Sequence, residues 1–139
     1  MLKYIPHKSK AIEFSLLLIR IVGGGFMLTH GWGKMMNLVN ANFEFLDPIG
    51  IGKEASLGLV VFSEILCSLL LLIGLLTRWA SIPLIITMIV AVFVVHAQDG
   101  FAKQEMGLIY MIIYLVLLLC GPGRYSIDGM MSQKKRRYY

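Results

Sequence analysis

The sequence has little charge. Only 15% of its 139 residues are charged, while 58% are hydrophobic, and its mean hydropathy is +0.76. A soluble domain carries about 25% charged and about 45–50% apolar residues. Both departures exclude an ordinary soluble protein and point to the bilayer. Cysteine is scarce too. Cys67 and Cys120 stand 53 positions apart in apolar runs, with no Cys-x-x-Cys between them. That excludes a disulfide-exchange membrane enzyme and leaves two small hydrophobes. No small-residue cleavage site follows a short apolar core near the N-terminus, so the first hydrophobic run is expected to be a retained span. The chain carries no convincing repeat and no flavin, nicotinamide or iron–sulfur motif.

What is present is greasy helix. Crossing a hydrocarbon core of about 30 Å takes about 20 apolar residues. The chain holds four such stretches in a single membrane domain, residues 1–139, at about 12–36, 56–76, 80–97 and 106–120. Pro83 is placed in the first turn of the third span, where proline is tolerated, and 77-TRW-79 as the connection before it. The 121-GPG-123 run ends the fourth span. Loop 37–55 carries Phe43, Phe45, Leu46 and Ile49, too apolar for a solvated linker, so it is expected in the interface or folded back on the helices. Short connections favour antiparallel neighbours, which predicts an all-α, integral-membrane, antiparallel four-helix bundle.

Lysine and arginine set the orientation. With both termini on one side, that side holds nine (Lys3, Lys8, Lys10, Arg78, Arg124, Lys134, Lys135, Arg136, Arg137) and the other three (Lys34, Lys53, Lys103). Both termini are therefore predicted cytoplasmic, and residues 129–139 form a basic cytoplasmic tail. Such a tail is a topology signal, so no nucleic-acid partner is expected. The opposite face carries Glu44, Asp47, Glu54, Asp99 and Glu105.

A few polar residues sit where lipid should be. Arg20 and Glu64 lie well inside apolar runs, where an ionised group costs about 2.5–3.5 kcal/mol and needs a partner. From a rise of about 1.5 Å per residue their α-carbons differ in depth by less than about 10 Å. A buried Arg20–Glu64 ion pair follows, read either as a clasp between helices or as a proton or anion site. His30 and Lys34 are four apart near the outer end of the first span. Lys34 falls within about 40° of the Arg20 face and His30 about 80° from it. His96 ends the third span at the depth of His30. The two could ligate a haem or a divalent metal, although no dense ligand cluster accompanies them. Arg20, His30, Lys34, Glu64 and His96 thus form the candidate buried polar site. Each glycine of 23-GGG-25 costs about 1 kcal/mol in a soluble helix. Gly23, Gly24 and Gly31 serve either close helix packing or room for a flat ligand, such as a quinone ring, beside Arg20.

Four stretches form a recognisable series: 20-RIVGGGFMLTHGWGKM-35, 64-EILCSLLLLIGLLTRWAS-81, 88-MIVAVFVVHAQDGF-101 and 121-GPGRYSID-128. In this order and spacing the sequence resembles the DoxX family of small bacterial inner-membrane proteins over about residues 16–128. The resemblance implies a four-span bundle in the bacterial inner membrane. It also implies a redox association, because relatives are linked to thiosulfate:quinone oxidoreduction as a membrane subunit and others to oxidative-stress complexes. Quinone is then the implied cofactor, and other membrane subunits or a second copy the implied partners. By residue it carries over Arg20, His30, Gly31, Lys34, Glu64, Arg78 and His96, without a catalytic role for any. Arg78, Arg124 and Asp128 make up a cytoplasmic-face motif. Three functional readings stand side by side. One is a redox subunit in which Arg20, His30 and Glu64 supply hydrogen bonds and protons to a quinone. The second is a non-enzymatic scaffold or accessory subunit. The third is a small proton-coupled transporter with Glu64 as the exchanging carboxylate.

Overall fold

The computed structural model describes residues 9–136. Lys3, Lys8 and Arg137, used above to orient the chain, lie outside them. Four helices are long and apolar enough to cross a bilayer: α1 (Lys10–Val39), α2 (Lys53–Ile73), α3 (Thr77–Val95) and α4 (Phe101–Cys120). A fifth, α5 (Ile127–Arg136), follows them. Among the described residues there is no strand. The chain is an all-helical, multi-pass bundle, and the segment expected as a basic tail from residue 129 is helical as far as Arg136.

Burial runs opposite to that of a soluble protein. The core is a thin column that includes Leu16, Met27, Leu71, Leu84, Tyr114 and Leu117, while Phe14, Phe26, Trp32, Trp79, Phe93 and Leu119 face outwards. An apolar exterior of this extent is tolerable only against lipid. Each long helix packs on its neighbours in a closed ring, and the α1–α4 side is the most sparsely packed.

Two regular helices are locally widened. Phe62–Cys67 in α2 and Ala91–Val95 in α3 are π-helical. Such single turns are frequent at functional sites, and the first contains Glu64. Helix α2 stops at Gly74, which takes the left-handed conformation (φ 71°) that glycine reaches without penalty. The turn comes earlier than the sequence suggests, because residues 77–79 belong to α3. Pro83 consequently lies inside α3 rather than in its first turn. The cause is remote in sequence: the Asp128 carboxylate accepts hydrogen bonds from the backbone N–H groups of Leu76 and Thr77, both 3.1 Å. It does from α5 what an N-cap side chain does locally, and so adds a turn.

Loop 40–52 is drawn together by Asp47. Its carboxylate accepts from Ile51 N, Gly52 N and the Ser56 hydroxyl at 2.9–3.0 Å. These bonds, led by that from Gly52, hold the carboxyl below its ordinary range.

Candidate functional site

At the end of the bundle that holds the termini, charge is directed at backbone. Arg20 is 2% exposed. Its two terminal nitrogens donate to the carbonyls of Pro122 and Tyr125, each at 2.7 Å. The expected Arg20–Glu64 pair does not form. Glu64 faces Gly31, eleven residues beyond Arg20 and so about 16 Å further along α1. Side chains also lean towards their own helix N-terminus, which carries the guanidinium away from Glu64 and onto the 121–126 turn. Glu13, one face with Arg20 at a spacing of seven, accepts from the Arg124 backbone N–H. Gly74 packs against the guanidinium, a contact a β-carbon would obstruct. Arg78 donates to Leu119 O at 3.2 Å, and the Arg124 side chain points outwards. The Arg78, Arg124 and Asp128 motif therefore belongs to one structural knot together with Arg20. Sequence reasoning passed over Glu13, although an acid seven residues from a buried arginine is the signal for it.

At the opposite end, side chains meet side chains. Lys34 donates to Glu64 Oε1 at 2.6 Å. The directions explain it: α1 and α2 run antiparallel, so Lys34 leans down the bundle and Glu64 leans up towards it. Glu64 is 2% exposed, and its second oxygen, Oε2, has no hydrogen-bond partner in the protein. The Ser68 hydroxyl, one turn along α2, is likewise buried and unpartnered. The space expected beside the glycines is filled. An added β-carbon would lie 2.7 Å from Ile113 Cγ2 at Gly23, 2.9 Å from Ser68 O at Gly24 and 2.9 Å from Glu64 Cβ at Gly31. Gly23, Gly24 and Gly31 are thus close-packing positions, not ligand space.

The two histidines have separate partners. His96 Nδ1 lies 2.7 Å from Asp99 Oδ2, and Lys103 reaches the same carboxylate at 3.3 Å. The His96 contact first, then Lys103, holds the Asp99 carboxyl below its ordinary range. His30 turns outwards and meets the edge of the Tyr110 ring (centroids 5.8 Å, planes 85° apart). Among the described residues no group of three His, Cys, Asp or Glu could hold a metal ion.

His30 and Tyr110 line an open groove of about 590 Å³ between α1 and α4, on the sparsely packed side of the ring. Thr29 and Glu105 add polar groups, and Val22, Phe26, Met106, Ile109 and Ile113 supply apolar walls. Tyr110 stacks on Tyr114 at 6.0 Å, and the Tyr114 hydroxyl donates to Gly23 O at 3.0 Å. Neither tyrosine was singled out from the sequence, yet two tyrosines four apart in an otherwise apolar span share a helix face and would have flagged it.

The family model described as DoxX matches residues 15–97, short of the 121–128 motif. An uncharacterized membrane protein of Mycobacterium tuberculosis is 28% identical over 145 residues, covering 86% of this chain and 83% of the relative. The inner membrane protein YqjF of Escherichia coli is 28% identical over 131 residues, covering 90% and 98%. An uncharacterized protein of Haemophilus influenzae is 32% identical over 63% of this chain and 58% of its own length. No solved structure matches the chain.

Proposed function

The chain belongs to the DoxX family, and from that footing we propose that it is a redox-associated subunit of the bacterial inner membrane that binds a quinone in the α1–α4 groove. The groove carries the reading. A volume of about 590 Å³ is within the about 300–1,000 Å³ of small-molecule sites. It combines apolar walls suited to a lipid-soluble molecule with a few polar groups at one place. His30 and Tyr110 are the groups that would meet the polar ring, and Phe26, Met106, Ile109 and Ile113 would flank its apolar part. A quinone supplies two-electron, two-proton chemistry when bound. The residues of this chain hold and orient it and offer hydrogen bonds. Arg20, at the far end of α1, is not among them, so the ligand site moves from Arg20 to His30 and Tyr110. The sequence carries no flavin, nicotinamide or iron–sulfur motif, so on this reading electrons come from a partner subunit or from a further cofactor.

The inner-membrane placement draws on the printed name of the Escherichia coli relative. The cytoplasmic placement of both termini draws on the lysine and arginine bias. The test is a titration of the purified protein in mild detergent with a quinone analogue, read by thermal shift and difference spectrum. A saturable response weakened about tenfold in His30→Ala is expected, a loss of about 1.4 kcal/mol. No response, or one indifferent to His30→Ala and Tyr110→Phe alike, overturns the reading.

A further inference from the structure

The groove leaves one feature unused. Glu64 is buried in a membrane-spanning helix, accepts one hydrogen bond from Lys34 at 2.6 Å, and keeps Oε2 without a partner. An ionised carboxylate in a low-dielectric interior normally has its remaining lone pairs satisfied. The Ser68 hydroxyl, fully buried and also unpartnered, lies one turn further along the same helix. Both residues face the glycine-bearing side of α1, Glu64 at Gly31 and Ser68 at Gly24, and seven residues bring those glycines to one face. Gly24 meets the Ser68 backbone carbonyl, and the buried Met27 projects from the same face of α1 between the two glycines, so Oε2 and the Ser68 hydroxyl are two separate unpartnered groups along this seam.

We propose that Glu64 is a proton-exchange site, with Oε2 as the atom that takes the proton. The site has two states. In one, Glu64 is ionised and holds the Lys34 ammonium. In the other, Oε2 is protonated and Lys34 is released. Its side chain is already 33% exposed, so the ammonium reaches water at the loop end of the bundle without repacking. The proton enters from that end, and the exchange forms or breaks only the O–H bond on Oε2. The π-helical turn at Phe62–Cys67 sets the carboxylate in this seam. The charged group that meets it is Lys34 on α1; on the α4 side stand the hydroxyls of Tyr110 and of Tyr114, the latter bound to Gly23 O. From α3 the neighbouring polar group is the Thr87 hydroxyl, 2.7 Å from Ser63, which carries no charge.

The site does not depend on a ligand in the groove, so a quinone analogue that fails to bind leaves it intact. The experiment is an infrared pH titration of the full chain in detergent, following the carbonyl stretch of a protonated carboxyl. In the wild type a buried carboxyl band should appear on acidification and shift in D2O. It should be missing in Glu64→Gln. In Lys34→Met the band should appear at a pH at least about one unit higher, because the opposite charge that favours the ionised form is gone. Circular dichroism identifies a variant that has not folded, and the wild-type and Lys34→Met titrations decide the matter alone. No D2O-sensitive carboxyl band in the folded wild type overturns the proposal. So does a titration unmoved by Lys34→Met.

Discussion

The two ends of the bundle treat buried charge in opposite ways. At the termini end, Arg20, Glu13 and Asp128 each bind backbone groups: carbonyls of Pro122 and Tyr125, the N–H of Arg124, the N–H groups of Leu76 and Thr77. Backbone partners cannot titrate or swing away, so the 121–136 segment is fastened to α1 and to the α2–α3 turn. At the loop end, Lys34 binds Glu64 and His96 binds Asp99. Side-chain partners can both titrate and separate. One end is built as a fixture and the other as a contact that can open.

The largest expected effect breaks the fixture. Arg20→Met keeps the side-chain volume but removes two charge-assisted bonds, each worth about 1.5–3 kcal/mol. The loss should reach about 3 kcal/mol or more in reversible unfolding in mixed micelles. Proteolysis after Arg124 should become fast. Lys34→Met should cost less, because Glu64 is then free to take a proton. Equal losses for the two variants would erase the distinction between the ends.

Next comes the α1 seam. Gly24→Ala pushes a methyl to 2.9 Å from the Ser68 carbonyl, which is backbone and cannot yield, whereas Gly25 has nothing within 4 Å. Overpacking of this kind costs about 1–3 kcal/mol, while alanine in a helix interior gains up to about 1 kcal/mol over glycine. Adjacent glycines should therefore respond with opposite signs in the same unfolding assay. Matching responses would mean that the seam is not close-packed.

Asp128→Ala should be milder still, about 1–2 kcal/mol, the usual worth of a lost helix cap. The damage should concentrate at the start of α3. Hydrogen exchange at Leu76 and Thr77 should accelerate while that at Leu84 is unchanged. A uniform acceleration across α3 would show that the capping bonds do not set where this helix begins.

These residues also show how far the sequence could be followed. The four spans were legible because composition and run length decide them, and no tertiary contact can make such stretches soluble. The polar residues were legible one by one, since a charge in an apolar run stands out. Their pairing was not. Depth along two helices placed Arg20 near Glu64, but side-chain lean and the return of the 121–126 turn decided the partners, and neither is written in the spacing. Gly23–Gly25 posed the same difficulty: three identical residues divide into two packed and one open only when the neighbouring helices are known. Tyr110 and Tyr114 were visible as letters, and it took the thin α1–α4 side to make them groove residues.

The smallest effect sharpens the picture at the loop end. The Asp99 carboxyl is held below its ordinary range first by His96 and then by Lys103. A depressed folded value means a contribution that is present above the unfolded value, about 3.9. It is lost as pH falls through the folded value. Because Asp99 is at the aqueous edge and its contacts are screened, the effect should be slight. Melting temperatures of wild type and Asp99→Asn should differ at about pH 6 and converge as the pH drops below about 4. The gap at about pH 6 should also narrow in high salt, since exposed pairs are screened. Asp128→Ala offers the contrast, because its backbone bonds are short-ranged and its deficit should hold across the same salt range. If salt moved both deficits alike, the loop end would be no more separable than the termini end.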